Sequence, residues 1–381
     1  MKIVVAPDSF KGALRSPEVA AVIAAGWRSV RKTDEVIEIP LADGGEGTAE
    51  ALRLATGGTR VKVQAHDALM RPVTAEYSML GDGETAVFEM ATASGIELIA
   101  RDELDPLRAT TYGAGEVMSA ALRSGAKKIV VGIGGSATVD GGAGLLQALG
   151  VKFFDGSGNL LPPGIGGGAL GDVVRIDASQ LPRFPVGGLT VACDVTNPLL
   201  GDRGTVAVFG PQKGVTPEIA PQLERNMRHW SEVLIRAGMT ERCDAPGDGA
   251  AGGLGFAMRA ALGAEIRSGA GIVIGLSGFP AAVRGAALVI TGEGCSDAQT
   301  VCGKLCAVVA ERAAESQVPT VLCAGALRGD TSELEKRFSG VFSIATGPGT
   351  LDDAIAATRE NLRRAGANLA QLASAFSAKR S

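Results

Sequence analysis

The chain has 381 residues, of which 46% are hydrophobic and 20% are charged. This length exceeds the roughly 250–300 residues at which a single hydrophobic core stops growing, so about two domains are expected. The 37 basic and 41 acidic residues give a net charge of −4 with no block of lysines or arginines, which argues against nucleic-acid-binding and membrane-surface proteins.

The start of the chain and its cysteines bear on where the protein works. The first residues, Met-Lys-Ile-Val-Val, lack the long apolar core and the cleavage site of a signal peptide, so we expect a cytoplasmic protein. No apolar run approaches the roughly 18 residues of a transmembrane helix. The six cysteines are thinly spread, and there are two histidines and no C-x-x-C. This composition favours reduced thiols and argues against a structural zinc site.

Strand-like and helix-like segments alternate in the first part of the chain. Ser16, Pro17 and Glu18 are an N-cap residue, an early proline and a first-turn acid, and so predict the start of a helix. A glycine-rich turn after the second strand places its amides at the N-terminus of the next helix. The predicted elements are a strand over 2–6, a helix from Ser16 to about Val30, a strand over Val36–Pro40 and a helix over Ala49–Ala55. This β-α-β-α order predicts a parallel sheet.

The middle of the chain has a different pattern. From Val61 to about Phe88, β-branched residues alternate with polar ones between turns, which predicts antiparallel hairpins. Glycine-rich loops then join strands to helices again. The predicted elements that follow are a helix over Thr110–Ser124, a strand over Lys128–Ile133, a helix containing Leu145–Leu149, a strand over Leu189–Cys193, a helix from Thr216 to about Ala237 and a helix over Ala250–Leu262.

The end of the chain returns to the alternation of its beginning. A strand over Leu288–Thr291 is expected to end in a Gly292–Gly294 loop, followed by a helix over 301–316, a strand over 319–323 and helices near 332–338 and 351–375. We therefore predict an α/β protein of two domains. Residues 1–60 and 270–381 would form a discontinuous Rossmann-like parallel-sheet domain, and residues 61–269 an inserted mixed α/β domain.

Glycine is the compositional outlier. It supplies 54 of the 381 residues, about twice the usual share of roughly 7%, and it collects at the ends of strand-like runs, as in phosphate-handling α/β proteins. The common nucleotide motifs are nevertheless absent. Gly303-Lys304 is followed by Leu305 and is not a Walker A loop. A G-x-G-x-x-G pattern at 247–252 follows Cys-Asp-Ala-Pro instead of an apolar strand, so it lacks the context of a dinucleotide-binding turn.

Carboxylates and lysines beside these glycines fit phosphoryl transfer. That reaction needs carboxylates for Mg²⁺, cations and amides for the phosphates, and a base near the acceptor hydroxyl. The chain offers such groups at several loop ends, namely Asp8 and Lys11, Asp43 and Glu46, Asp140, Asp194 and Asn197, and Glu293 and Asp297.

Each of these groups also has a structural alternative. An aspartate beside glycine, such as Asp43 or Asp140, commonly forms an Asx-turn or an N-cap. Asp194 directly follows an apolar run, where a buried carboxylate needs a reason, so a functional role is favoured there. Two roles are equally open to Lys11, Lys213 and Lys304, namely binding of phosphate and simple exposure to solvent. Ser136 is better suited to donate a hydrogen bond to phosphate than to act as a nucleophile. A serine nucleophile needs a general base, and neither histidine lies in a motif that suggests this role. His66 and His229 are expected to be structural or exposed, and Cys302 and Cys306 to pack in the core.

The loops form an ordered series of long motifs that spans nearly the whole chain. They are Ala6-Pro-Asp-Ser-Phe-Lys-Gly12, Ala42-Asp-Gly-Gly-Glu-Gly47, Gly132-Ile-Gly-Gly-Ser-Ala-Thr138 with Asp140-Gly-Gly142, Cys193-Asp-Val-Thr-Asn-Pro-Leu199, Phe209-Gly-Pro-Gln-Lys-Gly214, and Thr291-Gly-Glu-Gly294 with Asp297, Gln299-Thr300 and Gly303-Lys304. This series resembles the bacterial glycerate kinase type-1 family.

The resemblance implies an ATP- and Mg²⁺-dependent phosphotransferase that acts on D-glycerate in a cleft between two α/β domains. The product would be 2-phosphoglycerate, with 3-phosphoglycerate left open. The residues predicted for catalysis are Asp194, Lys11, Glu293 and Asp297, and Asp194, Glu293 and Asp297 are also the predicted Mg²⁺ ligands or the base. Those predicted to bind substrate or phosphate are Asp8, Ser9, Asp43, Gly44, Gly45, Glu46, Gly134, Gly135, Ser136, Asp140, Asn197, Lys213, Arg267, Gln299 and Lys304.

The chain departs from the family pattern at three positions. Cys295 stands where the family usually has an arginine, Val139 replaces a common asparagine, and Ser268 replaces a common proline. Arg267 would compensate for the charge missing at Cys295 if it faces the cleft.

Two other functions remain open. A nucleotide-linked oxidoreductase built on the Gly247 loop would bind NAD(P), and a non-catalytic sensor would keep a glycerate or nucleotide pocket without turnover. The predicted partner is a small molecule, with neither nucleic acid nor membrane, and a homodimer is an option.

Overall fold

Two groups of elements, each with its own main sheet, make up the described residues 1–42, 47–298, 300 and 304–377 of the computed structural model. The first unit comprises the described residues of Met1–Asp43, Leu54–Thr56 and Ala270–Ser381, and the second unit those of Gly44–Arg53 and Gly57–Gly269. The predicted α/β class, with one parallel sheet and one mixed sheet, is confirmed.

Strands and helices alternate along most of the chain. The described strands are β1 (Lys2–Val5), β2 (Glu35–Glu38), β3 (Thr59–His66), β4 (Pro72–Met79), β5 (Thr85–Glu89), β6 (Lys128–Gly132), β7 (Lys152–Phe154), β8 (Arg175–Asp177), β9 (Leu189–Ala192), β10 (Glu265–Arg267), β11 (Leu288–Ser296), β12 (Thr320–Leu327) and β13 (Gly340–Ser343). The described α-helices are α1 (Ser16–Val30), α2 (Thr48–Thr56), α3 (Ala91–Ser94), α4 (Tyr112–Arg123), α5 (Ala143–Ala148), α6 (Thr205–Phe209), α7 (Ala220–Arg236), α8 (Leu254–Leu262), α9 (Gly269–Leu276), α10 (Phe279–Ala282), α11 (Leu305–Glu315), α12 (Ser332–Arg337) and α13 (Leu351–Ser377). Among these helices, none has both the length and the apolar character that a membrane span requires.

The sheet of the first unit has the strand order β13-β12-β11-β1-β2, and its described pairings are all parallel. Ile3, Val4 and Val5 of β1 are completely buried, as expected for a central strand covered on both faces. The chain leaves β1 toward β2, whereas β11 leads in the opposite direction to β12 and β13. The neighbours β1 and β11 therefore form a topological switch point, where α/β proteins bind ligands beyond the carboxyl ends of the strands.

The second unit has a mixed sheet in the order β10-β9-β6-β5-β4-β3. Strands β5, β6, β9 and β10 pair in parallel, and β3, β4 and β5 form the antiparallel hairpins predicted from the sequence. The core beside this sheet contains Trp230, whose ring packs edge-on against Phe153 at 5.2 Å between centroids. The indole Nε1 of Trp230 donates to the Gly141 carbonyl at 2.9 Å. The core thus holds one end of the loop that follows β6.

Strand β11 is longer than the sequence predicts. The segment Gly292–Gly294 was expected to be a loop, and this prediction is wrong, because pairing with β12 continues as far as Ser296 opposite Leu327. A Cβ on Gly292 would lie 2.3 Å from the Cys323 carbonyl oxygen, and one on Gly325 would lie 2.4 Å from that of Gly294. The glycines permit close approach of two strands here instead of a turn.

The predicted start of α1 is correct to within one residue, but the predicted role of Ser16 is not. Arg15 occupies the N-cap position, and Ser16 is the first helical residue. The Ser16 hydroxyl donates to the Pro7 carbonyl and accepts from the Leu41 amide, both at 2.8 Å. It therefore links the loop after β1 to the segment after β2 instead of capping the helix.

Helices α1 and α13 pack with their backbones in near contact. A Cβ on Gly26 of α1 would lie 2.1 Å from the Arg363 carbonyl oxygen, and one on Gly366 of α13 would lie 2.3 Å from that of Ile23. Real side chains do not occupy such distances, so glycine sets the spacing of these two helices.

We expect Gly366→Ala to lower the free energy of unfolding by about 2 kcal/mol or more, because the added methyl forces the helices apart. Gly275→Ala is the matched control. Gly275 lies in α9 and has nothing within 4 Å of its Cβ direction, so alanine there should be neutral or stabilise by up to about 1 kcal/mol. Urea unfolding of both variants measures the difference. Equal effects would show that the α1–α13 spacing adjusts without cost.

Candidate functional site

In the first unit, the predicted residues after β1 meet those at the end of β11. The Asp8 amide donates to the Gly292 carbonyl at 2.8 Å. A Cβ on Gly294 would lie 3.4 Å from the Lys11 amide nitrogen. Asp8 and Ser9 are half-buried, and the Ser9 amide donates to Asp8 Oδ1 at 2.6 Å. The structure thus brings Asp8 and Lys11 alongside Glu293, at the switch point of the sheet.

Glu293 is held by two hydroxyl groups. Its Oε1 accepts hydrogen bonds from Ser296 Oγ and Thr300 Oγ1, both at 2.8 Å. Both donors are completely buried. The other oxygen, Oε2, accepts from no donor in the described part of the chain. The protein therefore orients this half-buried carboxylate through one of its two oxygens.

Asp297 and Lys304 lie beyond the end of β11. Lys304 Nζ is 3.8 Å from Asp297 Oδ1, and both side chains are substantially exposed, so this ion pair contributes little to stability. Thr300 connects the segment to Glu293, because its Oγ1 also lies 3.2 Å from the Asp297 amide. Lys304 immediately precedes α11, where a helix N-terminus adds positive potential.

Cys306 lies beneath this group of side chains. Its thiol is buried in a cluster with Leu322 and Phe338. Burial, reinforced by the charges of Glu293 and Asp8, raises the pKa of the thiol well above its usual value. Cys306 therefore packs in the core as a neutral thiol, as its sequence context suggested.

In the second unit, several polar groups share one edge of the mixed sheet, where the parallel strands β5, β6, β9 and β10 end. They are Glu89, the turn Gly134–Ser136, Asp194 and Arg267. All of them except Glu89 were predicted from the sequence. The Oε1 atom of Glu89 accepts from the Ala49 amide at 3.1 Å.

The turn after β6 carries three amides that have no acceptor among the described residues. Gly134 and Gly135 are exposed, and Gly135 has a φ of 67° that favours glycine. The Gly135 carbonyl accepts from the Ile96 amide at 2.8 Å, which pins the turn. The amides of Gly134, Gly135 and Ser136 donate to no described acceptor. Consecutive free amides of this kind suit an anionic ligand.

Lys213 lies beneath this turn. Lys213 was predicted to bind substrate or phosphate, but the residue is only 1% exposed. Nζ donates to Ser136 Oγ at 2.7 Å and to the Thr138 carbonyl at 2.8 Å. Burial lowers the pKa of the Lys213 ammonium to about 7, although the charge of Asp140 acts in the opposite direction.

Asp140 is completely buried and engaged by the protein. Its Oδ2 accepts from the amide and the hydroxyl of Thr111, both at 2.7 Å, and from the Gly144 amide at 3.2 Å. Its Oδ1 accepts from the Gly142 amide at 3.2 Å. Burial raises the pKa of this carboxyl, whereas these donors lower it. Asp140 is the N-cap of neither helix, since Thr111 and Gly142 hold those positions. Its contacts tie the starts of α4 and α5 together, which is a structural role.

Asp194, Asn197 and Arg267 differ from what their sequence context suggested. Asp194 is exposed, so the expectation of a buried carboxylate is wrong, because the apolar strand β9 ends at Ala192. Its Oδ1 accepts from the Gly269 amide at 3.1 Å. Asn197 donates from Nδ2 to the Arg203 carbonyl at 2.8 Å. Arg267 is largely exposed and pairs with Glu265 on the same strand.

The glycines of the G-x-G-x-x-G pattern are used in packing. The Gly249 amide donates to the Asn197 carbonyl at 3.0 Å. A Cβ on Gly252 would lie 1.9 Å from the Thr138 carbonyl oxygen. Directly before Gly249, buried Asp248 pairs with Arg259 at 2.7 Å. The segment 247–253 therefore supports the Thr138 and Asn197 loops, and it does not follow a strand as a dinucleotide-binding turn does.

Some predicted residues lie outside the described residues, namely Asp43, Gly44, Gly45, Glu46 and Gln299, together with Gly303 of the quoted motifs and Cys302, which was expected to pack in the core. The two histidines have structural contacts, as expected: His66 Nδ1 lies 3.0 Å from Glu116, and His229 Nε2 lies 2.7 Å from the Val173 carbonyl.

Three residues of these groups were not predicted as site residues, namely Ser296, Thr300 and Glu89. The motif around Thr300 was a signal for the first two, and the acid at the end of an apolar strand was a signal for Glu89. Among the described residues, no three His, Cys, Asp or Glu side chains converge as ligands of one metal ion.

Lys213 predicts a pH dependence of stability. The unfolded chain, with a lysine pKa near 10.5, binds more protons than the folded chain, with a pKa of about 7. The free energy of unfolding should therefore rise between pH 7 and pH 10, where unfolding takes up as much as one proton. Lys213→Met should remove this rise, and urea unfolding across the pH range measures it. If the free energy of unfolding has the same pH dependence in the wild type and in Lys213→Met, the pKa of Lys213 is the same in the folded and unfolded states.

Gly252→Ala should destabilise the protein by about 2 kcal/mol more than Gly263→Ala, because only the first methyl meets a backbone carbonyl. Both glycines have left-handed backbones, with φ of 71° and 68°, and nothing lies within 4 Å of a Cβ on Gly263. Equilibrium urea unfolding compares the two variants. Equal losses would mean that the Thr138 loop moves away freely.

Comparisons with known proteins identify one family over nearly the whole chain. Residues 3–374 match the model of the glycerate kinase family. The chain is 44% identical to glycerate 2-kinase of Escherichia coli strain K12 over 372 residues, which is 97% of each chain. It is 44% identical to glycerate kinase of Bacillus subtilis strain 168 over 373 residues, again 97% of each chain.

A solved structure shares the fold over nearly the whole chain. It is the crystal structure of a protein assigned as glycerate kinase 2 from Salmonella typhimurium LT2, with a TM-score of 0.89 and 41% identity over 99% of both chains. The family match and these relatives together show that the chain belongs to the glycerate kinase family.

Proposed function

We propose that this chain transfers a phosphoryl group from ATP, with Mg²⁺, to D-glycerate, and that the product is 2-phosphoglycerate. Family membership makes the chain a glycerate kinase. The observation that supports the chemistry best is the oriented carboxylate of Glu293 beside Asp8 and Lys11, at the switch point of a parallel sheet. The 3-position of glycerate is the alternative acceptor.

Mg²⁺ binds oxygen ligands. The ion is commonly held by one or two carboxylates together with substrate phosphates and water, instead of a full protein cage. Glu293 and Asp297 would hold it in the first unit. When bound, the ion neutralises charge on the phosphates. Oε2 of Glu293, which accepts from no donor among the described residues, is the feature that fits this role.

Exposed cations beside these carboxylates suit the phosphates of ATP. Lys11 and Lys304 are both exposed, and Lys304 stands at the N-terminus of α11. Phosphoryl transfer depends on positioning and charge stabilisation more than on covalent chemistry. These two lysines would therefore orient the nucleotide phosphates and stabilise charge as the γ-phosphoryl group leaves.

The second unit offers donors for an anionic acceptor and a base for its hydroxyl group. The unpaired amides of Gly134, Gly135 and Ser136 suit a carboxylate or a phosphate. Asp194 is exposed and oriented by the Gly269 amide. It would accept the proton of the attacking hydroxyl, as a carboxylate does in other kinases.

Measurement of ADP release from MgATP tests this function. D-glycerate should support turnover, whereas L-glycerate, glycolate and the absence of an acceptor should not. Phosphorus NMR of the product then distinguishes the 2-position from the 3-position. Folded protein without D-glycerate-dependent turnover would contradict the proposal.

Asp194→Asn and Glu293→Gln should each lower kcat by about 100-fold or more, on the scale expected when a base or a metal-binding carboxylate is lost. Asp244→Asn is the matched control, because Asp244 is an exposed carboxylate paired with Arg242, and it should leave kcat unchanged. A loss of less than about fivefold would remove the tested residue from the mechanism.

A further inference from the structure

Lys213 is placed where it cannot meet a ligand directly. It closes the 3-10 helix Pro211–Lys213 and is 1% exposed. Its described hydrogen bonds go to Ser136 and Thr138, on the loop that carries the unpaired amides. A buried lysine of this kind needs a reason, because desolvation of an ammonium group is costly.

The hydrogen bond between Lys213 and Ser136 has a defined direction. An ammonium group has donors only, whereas a serine hydroxyl has one donor and can accept. Ser136 Oγ, 2.7 Å from Nζ, must therefore accept while Lys213 is charged. The Ser136 proton is then directed away from Lys213. Within the described residues Ser136 has no acceptor for this proton.

We propose that Lys213 is a positioning residue that makes the Ser136 hydroxyl a donor to an anionic oxygen of the substrates. This inference rests on the proposed function, and it gives Lys213 an indirect role in place of the direct one expected from the sequence. The anionic oxygen belongs either to the carboxylate of glycerate or to a phosphate of ATP. Both are acceptors of the same kind.

The second hydrogen bond of Lys213 goes to a closely packed backbone carbonyl. The Thr138 carbonyl that accepts from Nζ is backed by Gly252, where even a methyl group would lie 1.9 Å from the carbonyl oxygen. The first hydrogen bond goes to Ser136, which follows the exposed residues Gly134 and Gly135 in the turn. Lys213 is thus held from behind by a packed backbone, and its other contact lies in the turn that reaches solvent.

The protonation state of Lys213 would control the donor. With a pKa of about 7, the amine is largely neutral in mildly alkaline solution. A neutral amine has a lone pair that can accept a hydrogen bond from the Ser136 hydroxyl. The hydroxyl would then point toward Lys213 and away from the ligand. Asp140 is the ionisable group whose charge acts on Lys213, and its oxygens are already bonded to Thr111, Gly142 and Gly144. Anion binding should therefore weaken as pH rises above 7.

A double-mutant comparison tests the inference. Ser136→Ala, Lys213→Met and the double variant are assayed for KM of D-glycerate and KM of MgATP at pH 6.5. We expect each single change to raise one of these KM values by about tenfold or more, the scale of a hydrogen bond to a charged group. The double variant should match the single ones, because Lys213 acts through Ser136. The affected KM identifies the carboxylate or the phosphate as the partner.

Lys152→Met is the control, because Lys152 is an exposed lysine on β7, and it should change neither KM. Multiplicative effects of the two changes would overturn the inference in favour of a direct role for Lys213. An unchanged KM for both substrates in Ser136→Ala would also overturn it.

A second measurement does not depend on the folding of the Lys213 variant. In the wild type, the affected KM should rise between pH 6.5 and pH 8.5, and Ser136→Ala should flatten that profile. A parallel profile in Ser136→Ala would contradict the inference. If the wild type shows no turnover, the proposed function fails. Calorimetric titration with D-glycerate and MgATP over the same pH range then applies the same criterion to binding.

Discussion

The parallel pairing of β1 with β11 is the constraint on which the first unit depends. The amides of Ala6 and Asp8 donate to the carbonyls of Ile290 and Gly292, both at 2.8 Å. This register joins segments that are almost 300 residues apart in the sequence. It sets the loop that carries Asp8 and Lys11 against the strand that carries Glu293. Since neighbouring parallel strands end at the same edge, the functional groups of both segments meet there.

Glycines make this arrangement sterically feasible. Gly292 and Gly325 let β11 run close beside β12 as far as Ser296. The added length carries Ser296 into hydrogen-bonding distance of the Glu293 carboxylate. A side chain at either glycine would meet a backbone carbonyl, which cannot move without disturbing the strand pairing. The high glycine content therefore reflects close backbone contacts as well as turns.

Buried polar groups play the corresponding part in the second unit. Asp140 collects donors from the starts of two helices, and Lys213 spans Ser136 and Thr138. A buried polar group destabilises the fold when it lacks hydrogen-bond partners, whereas a fully bonded one favours a single packing arrangement. The Gly247–Gly253 segment packs behind the same loops. The turn with unpaired amides is consequently held by groups that do not themselves face solvent.

The sequence by itself determined the α/β class, the alternation of elements in the first unit, the hairpins of the second unit and the motifs of the glycerate kinase family. These features arise from neighbouring residues, through apolar runs, helix starts and the spacing of glycines. Only the tertiary structure decided that Asp194 is exposed, that Lys213 is buried and that Gly292 lies within a strand. Burial and strand pairing depend on distant contacts, such as the one between Lys213 and Ser136, 77 positions apart.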